Sequence, residues 1–385
     1  MKIVFVTTSE ILGSSNDGGI KCSMRNLEML RHIVGVENVF VCAITKNKDY
    51  LSKTTNNAMV FYSDRRKICI LKNTIQGKLM YGTKVEKTVL AYINQLGCDA
   101  IFFDYSRMGT LQEQLPKNMK QILYLQNVER DYFKSQLKQH PSWLILMLPV
   151  IYSEKKAVKN ADVIISLNAR DASQLSKYYK RNIDLIIPIT LDDHFITSQS
   201  NEFSRQSQKL QLLFVGSLFS PNEYGVNWFI NKVMPHVNAE FTVVGRGFEK
   251  LVNKLKRDNV NIVGTVEDLG YYYRRADAIV SPILSGSGMK VKTAEAMMHG
   301  KPIFATDEAL EGYEVKKQKH IYRCNSPQEF ITAINTYARE QSYISFDPEI
   351  RSLYLSKYNT SVYLQPLRKL LLGITGLQDK NTSSQ

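Results

Sequence analysis

Residues 281–306 read SPILSGSGMKVKTAEAMMHGKPIFAT, and more of the architecture can be inferred from them than from any other segment. The apolar run Ala278, Ile279, Val280 leads into a loop of small residues, Ser285, Gly286, Ser287 and Gly288. A helix is predicted to open at about Met289 and to carry Lys290, Lys292 and Glu295; beyond Gly300 and Pro302 a second apolar run, Ile303–Ala305, follows. Short apolar runs separated by a helix imply strands of a parallel sheet. The loop between them suits an anion. Small residues let a ligand approach the backbone, and the first N–H groups of a helix lack intrahelical acceptors. Two lysines in the first turn oppose the helix dipole, which an anion would compensate. Glu295, two turns in, can accept hydrogen bonds from hydroxyls. The simplest ligand with both features is a nucleotide sugar.

The same alternation extends in both directions. Upstream, Ile3–Thr7, Val39–Ile44, Ala100–Phe103, Gln121–Tyr124, Val163–Ser166 and Asp184–Ile189 read as strands, with a helix from about Lys21 to Ile33. A second set follows: Leu210–Val215, Glu240–Val244, Val260–Val263, Ala278–Ser281 and Pro302–Ala305. The fold class is therefore α/β, with two doubly wound parallel sheets. The expected boundaries are a first domain over 1–189, a Ser/Asn/Gln-rich linker over 190–208, a second domain over 209–372 whose last helix packs back on the first, and a disordered tail over 373–385. Ligands in such sheets sit outside the carboxyl ends of the strands, so the loops there are where chemistry is sought.

Composition narrows the class. The chain has 385 residues, 44% hydrophobic and 22% charged, as in soluble globular proteins. The longest apolar stretch, Trp143–Tyr152, holds Pro149 and is about half a membrane span. The start, Met1 to Val6, turns polar at Thr7 without a cleavage-site pattern, so no signal peptide is expected. Five scattered cysteines without metal or disulfide spacing fit reduced thiols and a cytoplasmic setting. The net charge of +14 is lopsided: residues 1–190 hold 27 Lys+Arg against 16 Asp+Glu, the remainder 23 against 20. Dispersed basic residues without a reading motif argue against nucleic acid. An anionic membrane surface or a lipid-pyrophosphate acceptor would use such a domain, as would a surface of ordinary solvated lysines. The segment from His140 to Lys159, aromatic and apolar before Lys155, Lys156 and Lys159, would suit a membrane surface or a packed helix alike.

The stretch quoted first resembles the donor-site motif of the retaining GT-B glycosyltransferases (group 1, family 4-like). That motif runs glutamate-alanine-methionine, then glycine-lysine-proline, matched by Glu295-Ala296-Met297 and Gly300-Lys301-Pro302. Its first acid, eight positions before Glu295, is replaced by Ser287. The resemblance implies two Rossmann-like domains facing across a cleft, with the donor in the second. It places Gly216 and Ser217 at the opening of the donor site, and Thr265 and Val266 beside the base. Many members carry arginine and lysine where this chain has Ser217 and Asn222 or Glu223, so Lys290, Lys292 and Arg246 are the candidates to grip a diphosphate, with Ser287, Gly288, Met289 and Glu295 completing the donor set.

In the first domain, ILGSSNDGGIKCSMRN carries Gly18 and Gly19, a double glycine that in the family contacts donor phosphates or acceptor; Arg25 would face the cleft or solvent. In YLQNVERDYF, Gln126 replaces a family histidine and is followed by Asn127 and Glu129. Glutamine hydrogen-bonds but cannot titrate. Glu129 would orient the acceptor, pair with Arg130 or cap its helix. Of Tyr271–Tyr273 at most one should point into the site, and His194 and His299 lack metal-ligand spacing. The expected activity is transfer of a hexose from a nucleotide diphosphate sugar to a hydroxyl of an acceptor, with retention, Lys290, Lys292, Gln126 and Glu129 serving the chemistry and no metal or cofactor required. A lipid-linked saccharide of surface-polysaccharide (capsule) assembly is the expected acceptor, handled in the cytoplasm or at the inner membrane face. The alternative is a non-catalytic GT-B subunit that binds a partner transferase.

Overall fold

A computed structural model of the chain describes all residues except 14–17, 76–77, 79–80, 138–140, 196–208, 287, 341–343 and 377–385. The chain forms two compact units, one of residues 1–188 with 360–385, the other of residues 189–359.

The first unit is built on seven parallel strands: β1 Ile3–Thr7, β2 Val39–Thr45, β3 Ala58–Tyr62, β4 Ala100–Phe103, β5 Lys120–Leu125, β6 Val163–Ser166 and β7 Leu185–Ile186. Their order across the sheet is β3-β2-β1-β4-β5-β6-β7. The interior strand β1, IVFVT, is apolar at nearly every position because helices cover both faces of a parallel sheet. Its two faces pack different clusters. Val4 and Val6 join Ile101, Phe103 and Leu123. Phe5 stacks on Phe102 at 5.5 Å, and Phe102 on Tyr124 at 6.1 Å. Strand order reverses between β1 and β4, so the loops after these strands splay apart and leave room above the sheet.

Helix Gly18–Val34 follows β1 and starts three residues before the sequence suggested, taking Gly18 and Gly19 into its first turn. Helix Ser361–Thr375 packs on it, burying Leu367 and Leu371. Residues 373–375, expected in a tail, are the end of that helix, which Gly376 closes at φ 69°.

The second unit has six parallel strands: β8 Leu210–Val215, β9 Ala239–Val244, β10 Val260–Val263, β11 Ala278–Ser281, β12 Ile303–Ala305 and β13 Ile321–Arg323. Their order is β10-β9-β8-β11-β12-β13, with the reversal between β8 and β11. The chain enters this unit beside the place where it leaves. Leu191 forms a parallel bridge with Asn359, its N–H donating to the Tyr358 carbonyl at 3.0 Å. Arg351 pairs with Asp193. Most of the linker read over 190–208 lies outside the described residues.

Three strands depart from the sequence reading. β3 and β13 escape it, and β7 spans two residues rather than Asp184–Ile189. All three are sheet edges, where one neighbour suffices and a long apolar run is unnecessary.

Candidate functional site

In the second unit the loops after β8 and β9 touch backbone to backbone. Gly216 N–H donates to the Val244 carbonyl at 2.9 Å, and Leu218 N–H to the Arg246 carbonyl at 2.8 Å. Gly245 makes this approach possible: at φ 153°, a Cβ there would stand 2.0 Å from the Gly216 carbonyl oxygen. Gly245 N–H also reaches the Gly264 carbonyl at 3.1 Å, which brings the loop of Thr265 and Val266 alongside. The Arg246 and Thr265 side chains are exposed there, and Val266 is half-buried.

A polar chain closes this group against the next helix, Val291–Met298. Asn222, buried in helix Ser220–Lys232, donates to the Ser217 carbonyl at 2.7 Å and accepts from Lys292 Nζ at 2.6 Å. The ammonium of Lys292 also lies 4.6 Å from the centre of the Phe214 ring. Burial, with the charge of Lys290 second, lowers Lys292 to about 7. The Ser217 carbonyl and the Asn222 amide therefore build a socket for a lysine that comes from 70 residues further along the chain.

The helix opens at Val291 rather than Met289, because Gly288 adopts φ 65° and Lys290 is extended at φ −100° as the N-cap. Lys290 Nζ reaches the Gly288 carbonyl and Glu308 Oε1, each at 2.7 Å. Met289 is buried. Glu308 was missed in the sequence; the available signal is its place in the loop after β12, at a carboxyl end. Ser287 lies outside the described residues.

Glu295 is buried and accepts from the Tyr273 hydroxyl at 3.3 Å. Tyr273 stacks on His299 at 4.4 Å, whereas Tyr271 and Tyr272 pack edge-to-face on each other. Burial holds His299 down at about 4, so the ring is neutral at pH 7. His194 is exposed. Lys301 serves the fold, since its buried Nζ donates to the Ala276 carbonyl at 2.7 Å, at the end of helix Leu269–Arg275.

The first unit gathers a second polar cluster at its switch point. Asp104, directly after β4, is fully buried and accepts from Asn26 at 2.8 Å, Thr7 at 3.2 Å, Gln126 at 3.2 Å, and Ser23. Burial pushes its carboxyl up to about 6, against the pull of those four donors. Gln126 is used at both ends, donating also to Ser23 Oγ at 3.0 Å and accepting from the Tyr105 hydroxyl at 3.1 Å. A Cβ on Gly19 would lie 3.2 Å from that hydroxyl, so the start of helix Gly18–Val34 rests against this cluster. Asp104, Tyr105, Ser23 and Asn26 were not singled out in the sequence; a polar DYS directly after an apolar AIFF strand is the signal that could have found them.

Arg25 is buried, not exposed. Its guanidinium donates to the Tyr124 hydroxyl at 2.7 Å and to the Pro188 carbonyl at 3.0 Å. Glu129 pairs with Arg107 at 2.9 Å rather than with Arg130, whose guanidinium lies 4.3 Å from the centre of the Tyr178 ring. Asn127, between Gln126 and Glu129, is half-buried. Among the described residues no group of three or more His, Cys, Asp or Glu is placed to hold a metal ion. No helix among them is long and apolar enough to cross a membrane. A cavity of about 400 Å³ lies at the amino ends of β8, β9 and β10, lined by Gln211, Glu240 and Arg275 among others, and includes none of the loop residues above.

The fold has counterparts in known proteins. Residues 209–340 match the family model "Glycosyl transferases group 1". The chain is similar over 97% of its length to sucrose-phosphate synthase from Thermosynechococcus elongatus (TM-score 0.73, 15% identity, 99% of that chain). It is likewise similar to Anabaena HepE, solved with UDP and glucose (TM-score 0.68, 14% identity, 97% of this chain and 100% of that one). The lipopolysaccharide outer core galactosyltransferase WaaB also superimposes (TM-score 0.65, 12% identity, 97% and 100%). In sequence, an uncharacterized 44.6 kDa protein in the cps region of Klebsiella pneumoniae is 23% identical over 244 residues, 57% of this chain. The match spans 60% of the length of that relative. The chain thus has the GT-B fold, and its second unit holds the residues that match the glycosyl transferases group 1 model.

Proposed function

We propose that this protein is a glycosyltransferase that moves a hexose from a nucleotide diphosphate sugar to a hydroxyl of a saccharide acceptor, with retention at the anomeric carbon. The observation that carries the reading is the convergence of Ser217, Asn222, Lys292, Lys290 and Glu295 where β8 and β11 end. In this reading Lys292 and Lys290 meet the diphosphate, together with the N–H groups around Gly288–Lys290. Glu295 is the acceptor for a hydroxyl of the nucleotide's ribose. Gly216, Met289, Thr265, Val266 and Arg246 line the approach.

In the reaction, the acceptor hydroxyl oxygen bonds to the anomeric carbon from the same face that the diphosphate leaves, as the bond from that carbon to the phosphate oxygen breaks, so the configuration is retained. The hydroxyl proton passes to the departing phosphate, so neither a protein nucleophile nor a metal is called for. Negative charge growing on the diphosphate is met by the lysines, whose attraction is stronger in the transition state than in the ground state. The Asp104 cluster holds Gln126 and the Gly18–Gly19 turn toward the acceptor. The likeness to a cps-region protein supports surface-polysaccharide assembly. A lipid-linked acceptor handled at the cytoplasmic membrane face is the further part of the proposal.

Thermal stabilisation by UDP, GDP, dTDP and ADP and their sugar conjugates tests the reading. One base should raise the melting midpoint; a ligand at a hundredfold its dissociation constant adds about 2.7 kcal/mol. Glu295→Ala should abolish the shift while the unliganded midpoint stays within a few degrees. Absence of any shift in a folded sample would leave a non-catalytic GT-B subunit as the better account.

A further inference from the structure

Helix Leu144–Asn160 buries Val150, Ser153, Glu154, Ala157 and Val158, and turns Leu144, Ile145, Leu148 and Tyr152 outward. Leu148 is 77% exposed. Helix Lys67–Ile75 packs beside it and adds Ile68, 74% exposed, and Leu71. Single exposed leucines are ordinary, but six large apolar side chains on two neighbouring helices form a patch that water does not favour.

The exposed charges carried by the two helices themselves share one sign. Along the exposed stripe of the longer helix, Leu148 and Tyr152 are followed at helical spacing by exposed Lys155 and Lys159. Lys72 is exposed on the shorter helix, which contains no acid. The one acid of the longer helix, Glu154, faces inward. Lys156 is turned over the Tyr152 ring at 4.6 Å and pairs with Glu113.

From this juxtaposition we infer that the outer face of helices Lys67–Ile75 and Leu144–Asn160 docks on an anionic lipid bilayer, apolar residues entering the interface and lysines meeting the headgroups. A helix with one apolar and one basic stretch on its free face lies in the plane of a bilayer surface. The acid beside the patch, Glu113, is already taken by Lys156, so a soluble protein partner would find little to pair with its own bases, and a second copy would bring lysine against lysine.

The test uses the full chain and sedimentation with large vesicles of phosphatidylglycerol mixed with phosphatidylcholine, against vesicles of phosphatidylcholine alone. Binding is expected to the anionic vesicles, weakening as salt is raised. The exposed substitutions Ile68→Ser, Ile145→Ser and Leu148→Ser together should lower binding at least tenfold with an unchanged melting curve. Lys155→Gln with Lys159→Gln should lower it severalfold and flatten the salt dependence. Nucleotide-dependent stabilisation, read on the same variants, should be unaltered, which separates this proposal from the transfer reaction. Failure of the folded chain to bind anionic vesicles overturns it, as does equal binding by the triple variant. Light scattering that shows a dimer dissolved by the triple variant would assign the face to a second copy instead.

Discussion

The ammonium of Lys292 sits between Asn222 and the Phe214 ring, where burial and Lys290 hold it at about 7. A bound diphosphate favours the charged form, so nucleotide binding above pH 7 must take up a proton. The affinity for a nucleoside diphosphate should therefore fall as pH rises from 7 to 9, by up to about tenfold per unit. Calorimetry in two buffers of different ionisation enthalpy reads the uptake directly; Lys292→Met should bind more weakly and lose both the uptake and the slope. That Lys292 is a candidate was legible, because a lysine in the first turn of a helix after a glycine loop opposes the dipole. That it leans on Asn222 was not, since 70 residues separate the pair. Asp104 is a similar case: its four donors come from β1, helix Gly18–Val34 and the loop after β5, which only the parallel sheet brings together.

At the scale of elements, two buried titratable side chains make opposite uses of helices. Lys301 caps helix Leu269–Arg275 through the Ala276 carbonyl. Lys301→Met leaves that buried carbonyl without its donor and should cost about 1–3 kcal/mol in denaturant unfolding of the second unit. Glu154, inside helix Leu144–Asn160, is pushed up to about 8 by burial, with the Glu129 charge second. Between its ordinary value near 4.3 and 8, the folded state holds a proton that the unfolded state has lost. Stability therefore falls with rising pH across that window. Glu154→Gln should melt higher than the parent at pH 7.5, with the advantage gone by pH 4.5. The interior strands were legible because strands covered on both faces are unbroken apolar runs. The edges β3 and β13 were not, and β7 was read too long: Ile321–Arg323 has one buried residue, one half-buried and one exposed, a pattern any loop can show.

At the scale of the whole molecule, the chain visits the first unit twice. It leaves after Pro188 and returns at Thr360, so the last helix belongs to the unit that the first strand began. Composition and alternation reveal two sheets, but the ownership of a terminal helix depends on which apolar stripe finds an unfilled groove. Here Leu367 and Leu371 are buried, and their helix packs on Gly18–Val34, the helix that also supplies Ser23 and Asn26 to Asp104. Ending the chain at Asn359 would expose that surface. Two leucines at about 1.5–3 kcal/mol each set the loss at about 3–6 kcal/mol, confined to the first unit. The truncated chain should show an early melting transition and rapid proteolysis within residues 1–188, while its second unit still melts later in the presence of the nucleotide that the full chain prefers. A truncated chain that unfolds in one step with loss of nucleotide binding would show instead that the second unit depends on the returning helix.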